Sequence, residues 1–154
     1  MPSHKRSGLN TCMDHWQSYI RASWELVLEA EGRSHEYLDE GIESFLVHTM
    51  ARNFENLSLW EKPIGVTMLE AKHMPGQKRK ETMRRVGEEC LIIDAWQLKQ
   101  RRWPTPTYFR EMGSMAFGFA AISTRPPDDL LDQVGNNFGR LSRVLRTVRD
   151  LGNS

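Results

Sequence analysis

The chain has 154 residues, enough for one domain with a sizeable core, and its 21 basic and 20 acidic side chains leave a formal net charge of +1. This balance excludes a whole-protein electrostatic attraction to nucleic acid or to an anionic membrane surface. The two cysteines are too few for a disulfide scaffold, and no apolar run approaches the roughly 20 residues of a membrane-spanning helix. The polar N-terminal segment is not a signal peptide. We therefore expect a soluble, cytoplasmic protein with reduced thiols.

The first third of the chain predicts two long helices behind a flexible tail over residues 1–10. Helix one starts near Thr11, where the sequence approximates a capping box, and ends at Gly32. Helix two follows a cap at Ser34 and carries an apolar stripe between residues 37 and 54.

Four further helices are predicted over residues 64–72, 77–100, 107–122 and 129–150. Prolines and glycines punctuate the gaps between them, and no segment alternates polar and apolar residues with a period of two. The sequence therefore predicts an all-α fold: a single-domain helical bundle over residues 11–150, with about five long helices and one short one.

Charge is unevenly distributed along the chain. Residues 25–61 hold nine acidic and two basic side chains, a net of −7, whereas residues 62–110 hold eleven basic and five acidic ones, a net of +6. Such asymmetry can attract two halves of one fold to each other, or it can support head-to-tail pairing of two molecules. We favour the intramolecular interpretation because it needs no partner.

Two adjacent carboxylates, Glu88 and Glu89, lie beside the most apolar run of the chain. On a helix, Glu89 shares a side with Val86, Ile93 and Trp96, so we expect Glu89, and not Glu88, to face the core. A buried carboxylate requires a cation or a proton, which favours an internal ion pair with an arginine. A carboxylate for a small ligand or a metal is the alternative.

A ligand site, if the chain has one, would draw on five side chains: Glu43, His48, Glu89, Tyr108 and Arg110. Imidazole titrates near neutrality and could act as a base or a ligand, but a boundary histidine hydrogen-bonded to a neighbour is the favoured interpretation of His48. Without a serine or cysteine nucleophile motif, the sequence supports no catalytic triad and assigns no catalytic residue.

Two short motifs have partial metal-ligand spacing. Glu70-x-x-His73 matches half of a di-iron motif, but that chemistry needs two copies with further inward-facing carboxylates. Cys12-x-x-His15 supplies half of a zinc site, which needs four ligands. We therefore predict no metal and no cofactor.

Two surface patterns bear on partners. Six cations cluster between residues 72 and 85, namely Lys72, Lys78, Arg79, Lys80, Arg84 and Arg85. They could contact phosphates, but no nucleic-acid-binding motif accompanies them, so a solvated helix face is favoured. Ser114-x-x-x-Gly118 makes a helix face with little side chain, which indicates an internal helix crossing or, alternatively, a dimer seam.

Three segments carry a recurring pattern: Gly87-Glu88-Glu89-Cys90-Leu91, then Tyr108-Phe109-Arg110-Glu111-Met112-Gly113 followed by Ala116-Phe117, and earlier Ile42-Glu43-Ser44-Phe45-Leu46-Val47-His48. Together they resemble a bacterial family of conserved hypothetical all-helical proteins, over most of residues 35–150. The resemblance implies a compact helical protein and no particular activity, so it carries over no catalytic residue. Cys90 and Trp96 depart from the pattern, which affects packing only.

Three functional interpretations remain. The first is a non-enzymatic module that forms a homo-oligomer, such as a dimer, or binds another protein, without membrane contact. The second is a helical bundle that binds a small ligand or a metal and could be an enzyme. The third, a nucleic-acid accessory protein using residues 78–85, is the least favoured.

Overall fold

A computed structural model describes residues 3–53, 64–96 and 107–152, with side chains described from His15 onward. These residues form seven α-helices and no strand, which confirms the all-α class. The helices are α1 (Ser3–Ser34), α2 (Glu40–Asn53), α3 (Ile64–Ala71), α4 (Gly76–Trp96), α5 (Tyr108–Ala121), α6 (Asp129–Asn136) and α7 (Phe138–Gly152). None of the described helices is long and apolar enough to cross a membrane.

Several helix boundaries differ from the prediction. Helix α1 ends at Ser34 and α2 begins at Glu40, so Ser34 is the last residue of α1 and not the cap of α2. Helix α1 begins at Ser3 instead of Thr11, so residues 3–10, predicted as a tail, continue the helix; their flexibility stays a prediction. The predicted last helix is two helices, because Asn137 ends α6. The backbone N–H of Asn137 donates to Gln133 O at 2.9 Å, and its side-chain amide donates to the same oxygen at 2.7 Å. The described residues thus contain five long helices and two short ones. Residues 97–100 and 105–106, predicted to extend α4 and to cap α5, lie outside the described part.

Helix α4 lies at the centre of the bundle. It packs mainly on α5 and also on α3 and α7, while α1 packs on α2 and α7. Phe117 of α5 is fully buried at this centre, with its ring centroid 5.6 Å from that of Phe45 and 6.2 Å from that of Phe138. Aromatic rings at these separations interact favourably beyond their burial alone. The core therefore joins α2, α5 and α7 around α4.

Glycines allow the helices around Phe117 to approach closely. A Cβ on Gly87 would lie 2.8 Å from the Phe117 ring, and a Cβ on Gly113 would overlap the Phe138 ring. Ser114 Oγ donates to Gly135 O at 2.9 Å, where α5 crosses α6. The internal helix crossing predicted for the small-residue segment is thus present at Gly113 and Ser114.

Candidate functional site

Glu88 of α4 is a buried carboxylate held by two arginines. Arg52 of α2 donates from Nε to Oε1 at 3.2 Å and from Nη2 to Oε2 at 3.1 Å, while Arg84, one turn earlier on α4, pairs with the same carboxylate. Asn53 Nδ2 adds a longer contact at 3.5 Å. Glu88 is only 2% exposed. This arrangement ties α2 to α4 through an ion pair, as bidentate arginine–carboxylate geometry allows.

The prediction that Glu89 is the inward-facing carboxylate is wrong. Glu88 occupies the buried position, and Glu89 is half-buried. Burial raises the pKa of Glu89 to about 7, although the nearby charge of Arg85 acts in the opposite direction. The ion pair that the sequence predicted for one of the two glutamates therefore exists, but on the neighbour.

Asp94 is a second buried carboxylate on α4, and the sequence analysis missed it. Its Oδ2 accepts a hydrogen bond from Ser142 Oγ at 2.5 Å, from Arg146 Nη2 at 3.3 Å and from Arg110 Nε at 3.4 Å. Since Arg110 belongs to α5 and the other two donors to α7, one carboxylate links three helices. Its signal in the sequence was an acidic residue within the apolar run 90–96.

Glu36, in the connection between α1 and α2, repeats the pattern. Arg140 Nε donates to Oε2 at 3.0 Å, and Arg143 Nε donates to Oε1 at 3.0 Å, both from α7. The hydrogen bond from Arg140 is the largest cause that lowers the pKa of Glu36. Three carboxylates are thus each shared by two guanidinium groups, whose planar donors suit carboxylate oxygens. Such clusters connect helices, and their carboxylates are already neutralised.

The five predicted ligand residues lie on three helices: α2 carries Glu43 and His48, α4 carries Glu89, and α5 carries Tyr108 and Arg110. Glu43 lies on α2 next to Glu31, and His48 Nδ1 donates to Ser44 O at 2.8 Å within the same helix. Tyr108 is half-buried at the start of α5, where desolvation raises its pKa. Arg110 is engaged with Asp94. Within the described part of the chain, no three histidine, cysteine or acidic side chains are grouped to hold a metal ion.

The basic run on α4 mostly serves the fold. Arg79 donates to Ser123 Oγ at 3.0 Å and to Ser123 O at 3.2 Å, in the connection after α5. Lys80 Nζ lies 2.8 Å from Asp128 Oδ2, and that aspartate also caps α6 through Leu131 N–H. With Arg84 bound to Glu88, three of the six predicted cations hold intramolecular contacts. This use contrasts with a stripe of free cations along a phosphate backbone.

The outer face of α5 exposes a run of large apolar side chains. Met115, Phe119 and Ile122 recur at helical spacing and are 48%, 36% and 67% exposed. Gly118 lies among them, and we refer to these four residues as the α5 outer face. Three apolar side chains on about two turns of helix form a contiguous patch, which is a feature of association surfaces.

Two grooves border the α5 outer face. One, of about 500 Å³, lies where α5 meets the α6–α7 junction and includes Glu111, Met115 and Gly135 in its lining. The other, of about 190 Å³, lies at the opposite end of α5 and is lined by Lys72, Arg79, Met83, Phe119, Ile122 and Ser123. Glu111 lines the first groove together with Arg110, which is paired with Asp94, whereas Lys72 and Arg79 line the second.

No family model, curated protein or solved structure matches the chain. The resemblance to a family of conserved hypothetical helical proteins therefore stays a prediction. The geometry of the chain itself carries the functional proposal.

Proposed function

We propose that the protein is a non-catalytic helical module that associates with a second copy of itself through the α5 outer face. The observation that carries this proposal is the exposure of Met115, Phe119 and Ile122 on one helix, around Gly118. Burying such a patch against a second molecule removes apolar surface from water, at about 25 cal/mol per Å². This gain supplies a driving force for association.

Gly118 supports a helix as the surface that docks there. A Cβ on Gly118 would meet nothing within 4 Å, whereas Gly87 and Gly113 are required by close neighbours inside the fold. A glycine inside a helix costs about 1 kcal/mol relative to alanine. At Gly118 the monomer gains nothing in return, but a second helix crossing there could approach closely.

Charge complementarity favours a second copy as the occupant. Glu111 lies near the start of α5, and Lys72 and Arg79 line the groove beside Ile122. Residues 111 and 122 are about 16 Å apart along the helix axis, at about 1.5 Å per residue. Antiparallel pairing of two α5 helices about a two-fold axis places Glu111 of each copy opposite the basic groove of the other. The same patch then serves both molecules, as a two-fold interface requires.

The alternative functions receive less support from the geometry. A site built on Glu43, His48, Glu89, Tyr108 and Arg110 would need these groups to converge, whereas they lie on three helices, His48 is hydrogen-bonded to Ser44 O and Arg110 is paired with Asp94. A nucleic-acid surface would need the basic run of α4 to face outward, whereas Arg79 and Lys80 bind the connection after α5.

Light scattering over a range of protein concentrations tests the proposal. We expect the wild-type protein to have twice the monomer mass at high concentration and Ile122→Glu to remain monomeric, because it places a charge within the apolar seam. Leu28→Glu on α1 is the matched control, since Leu28 is a similarly exposed apolar residue, 55% exposed, outside the α5 outer face. A wild-type monomer at every concentration, or equal dissociation by both variants, would contradict the proposal.

A further inference from the structure

The carboxyl group of Glu31 holds the connection between α1 and α2. Glu31 lies in the last turn of α1 and is 3% exposed. Its Oε2 accepts a hydrogen bond at 2.8 Å from the backbone N–H of Leu38, which is itself buried just before α2 begins. The chain turns between them through His35, whose φ of 57° is in the left-handed region. The Glu31 contact therefore spans seven residues and joins the end of α1 to the residue that precedes α2, beside the contacts that Glu36 makes to α7.

The other oxygen of Glu31 has no ordinary donor. Oε1 is buried, and among the described residues no N–H or hydroxyl group donates to it. The carboxyl group of Glu43 on α2 lies within interaction range of the Glu31 carboxyl group. Two carboxyl groups can bond to each other only when one of them carries a proton, because ionised carboxylates only accept.

This pair is the reverse of the three arginine-bound clusters. Glu36, Glu88 and Asp94 each face two guanidinium groups, whereas no described lysine or arginine forms an ion pair with Glu31 or Glu43. Burial of a carboxylate without a cation is costly, and protonation removes that cost.

We propose that Glu31 and Glu43 share one proton, and that this proton closes the connection between α1 and α2 and is released when the pH rises above neutrality. Burial and the neighbouring negative charges both favour the protonated form of the pair. Burial is the main cause that raises the pKa of Glu43 to about 7, and Glu31 and Glu40 raise it further. A proton bound more tightly in the closed form than in the open form makes closure depend on pH.

Glu36 makes the connection less stable at low pH. Glu36 is in the same connection, and Arg140 and Arg143 of α7 lower its pKa below the usual 4.5. The stabilisation that ionised Glu36 gives to the connection is present above pH 4.5 and is lost as the pH falls. The Glu31–Glu43 contribution is complete below 4.5 and is lost as the pH rises through about 7. The connection is therefore closed most firmly in weakly acidic solution.

Amide hydrogen exchange at Leu38 tests the inference directly, because this N–H donates to Glu31. After correction for the intrinsic rate, we expect the opening constant to rise by up to about tenfold per pH unit between pH 4.5 and about 7 and to level off above that range. Glu43→Gln supplies a permanent amide donor, so this variant should keep Leu38 protected at pH 8. Glu31→Gln provides the reciprocal donor and should give the same flat profile.

Two isosteric controls isolate the pair. Glu89→Gln removes the other carboxyl group with a raised pKa, and Glu40→Gln removes a neighbouring charge that is not part of the pair; both should keep the pH dependence at Leu38. A flat profile in the wild type, or an unchanged slope in Glu43→Gln, would overturn the inference. Restoration of Leu38 protection at pH 8 by Ca²⁺ or Mg²⁺ would also overturn it, since a metal ion and not a proton would then bridge the two groups. Association of the chain does not enter this readout, so the inference and the proposed function can fail separately.

Discussion

Arg52 binds Glu88 with a bidentate contact, Nε to Oε1 at 3.2 Å and Nη2 to Oε2 at 3.1 Å, and thereby joins two helices whose residues are 36 positions apart in the chain. Glu88 has almost no exposure, while the guanidinium group of Arg52 is partly exposed. The pair therefore lies at the boundary of the core, where the charge of the carboxylate is shielded from water but that of the arginine is not. Removing the carboxylate leaves a cation that can turn toward solvent.

Glu88→Ala should lower the free energy of unfolding by about 2–4 kcal/mol, less than the largest losses for buried pairs because both arginines can reach water. Glu89→Ala is the adjacent control and should cost less than about 1 kcal/mol at pH 7, since Glu89 is half-buried and has no bidentate partner. Urea denaturation of both variants measures the difference. A larger loss for Glu89→Ala would restore the prediction made from the sequence.

The sequence could not distinguish these two glutamates because α4 is buried around most of its circumference between Met83 and Ala95. An apolar stripe identifies a buried face only when the opposite face is polar, and here that contrast is missing. The deciding partner of Glu88 is Arg52 on α2, and nothing local to α4 points to it. Asp94 escaped notice for the same reason, because its donors lie on α5 and α7.

Helix positions, by contrast, followed well from the sequence. Proline and glycine mark the boundaries near α3, α4 and α5, and they act through local backbone sterics that need no tertiary contact. The break at Asn137 was missed because the buried stripe continues across it, from Val134 to Phe138 and Leu141. The side chain of Asn137 adds a second donor to Gln133 O there, which an apolar pattern does not reveal.

Gly113→Ala should destabilise the fold by about 1–3 kcal/mol, because the added methyl group would overlap the Phe138 ring and lie 2.8 Å from Cys90 Cβ. Gly118→Ala on the same helix is the control: it meets no neighbour and should stabilise the monomer by up to about 1 kcal/mol. Thermal and urea denaturation at low protein concentration give both values. If the two variants behaved alike, the close approach of α5 to α7 would be in doubt.

Titration of Glu89 should contribute to the pH dependence of the free energy of unfolding. Burial raises its pKa from 4.5 to about 7, so its stabilising contribution is complete below pH 4.5 and is lost as the pH rises through about 7. Allowing for its partial exposure, we expect a loss of about 1–2 kcal/mol between pH 5 and pH 8. Urea denaturation in a Glu43→Gln background, with and without Glu89→Gln, isolates this contribution. If the free energy of unfolding had the same pH dependence in both proteins, the pKa of Glu89 would lie near its usual value of 4.5.

The thiol of Cys90 should react very slowly with alkylating reagents in the folded protein. It is fully buried, and desolvation raises its pKa well above the usual value, so the reactive thiolate is suppressed. In a Cys12→Ser background, alkylation of the remaining thiol by iodoacetamide should be at least about 100-fold slower in buffer than in denaturing urea. Fast alkylation under native conditions would mean that α4 and α5 separate readily at this point.

A charge exchange tests the direction in which two α5 helices pair. Glu111→Lys places a cation opposite the groove of Lys72 and Arg79 in an antiparallel dimer, so it should weaken association by roughly tenfold in the dissociation constant, for two exposed like-charge contacts of about 0.7 kcal/mol each. Lys72→Glu alone should weaken it by a similar factor, because it then faces Glu111 of the other copy.

The double variant Glu111→Lys/Lys72→Glu restores opposite charges across an antiparallel seam and should recover most of the lost affinity. In a parallel dimer Glu111 faces Glu111, so Glu111→Lys would leave a like-charge contact and the double variant would show no recovery. Analytical ultracentrifugation at 50 mM and 500 mM salt measures both effects. The differences should shrink at high salt, because the screening length falls from about 14 Å at 50 mM to about 4 Å at 500 mM, whereas dissociation by Ile122→Glu should persist.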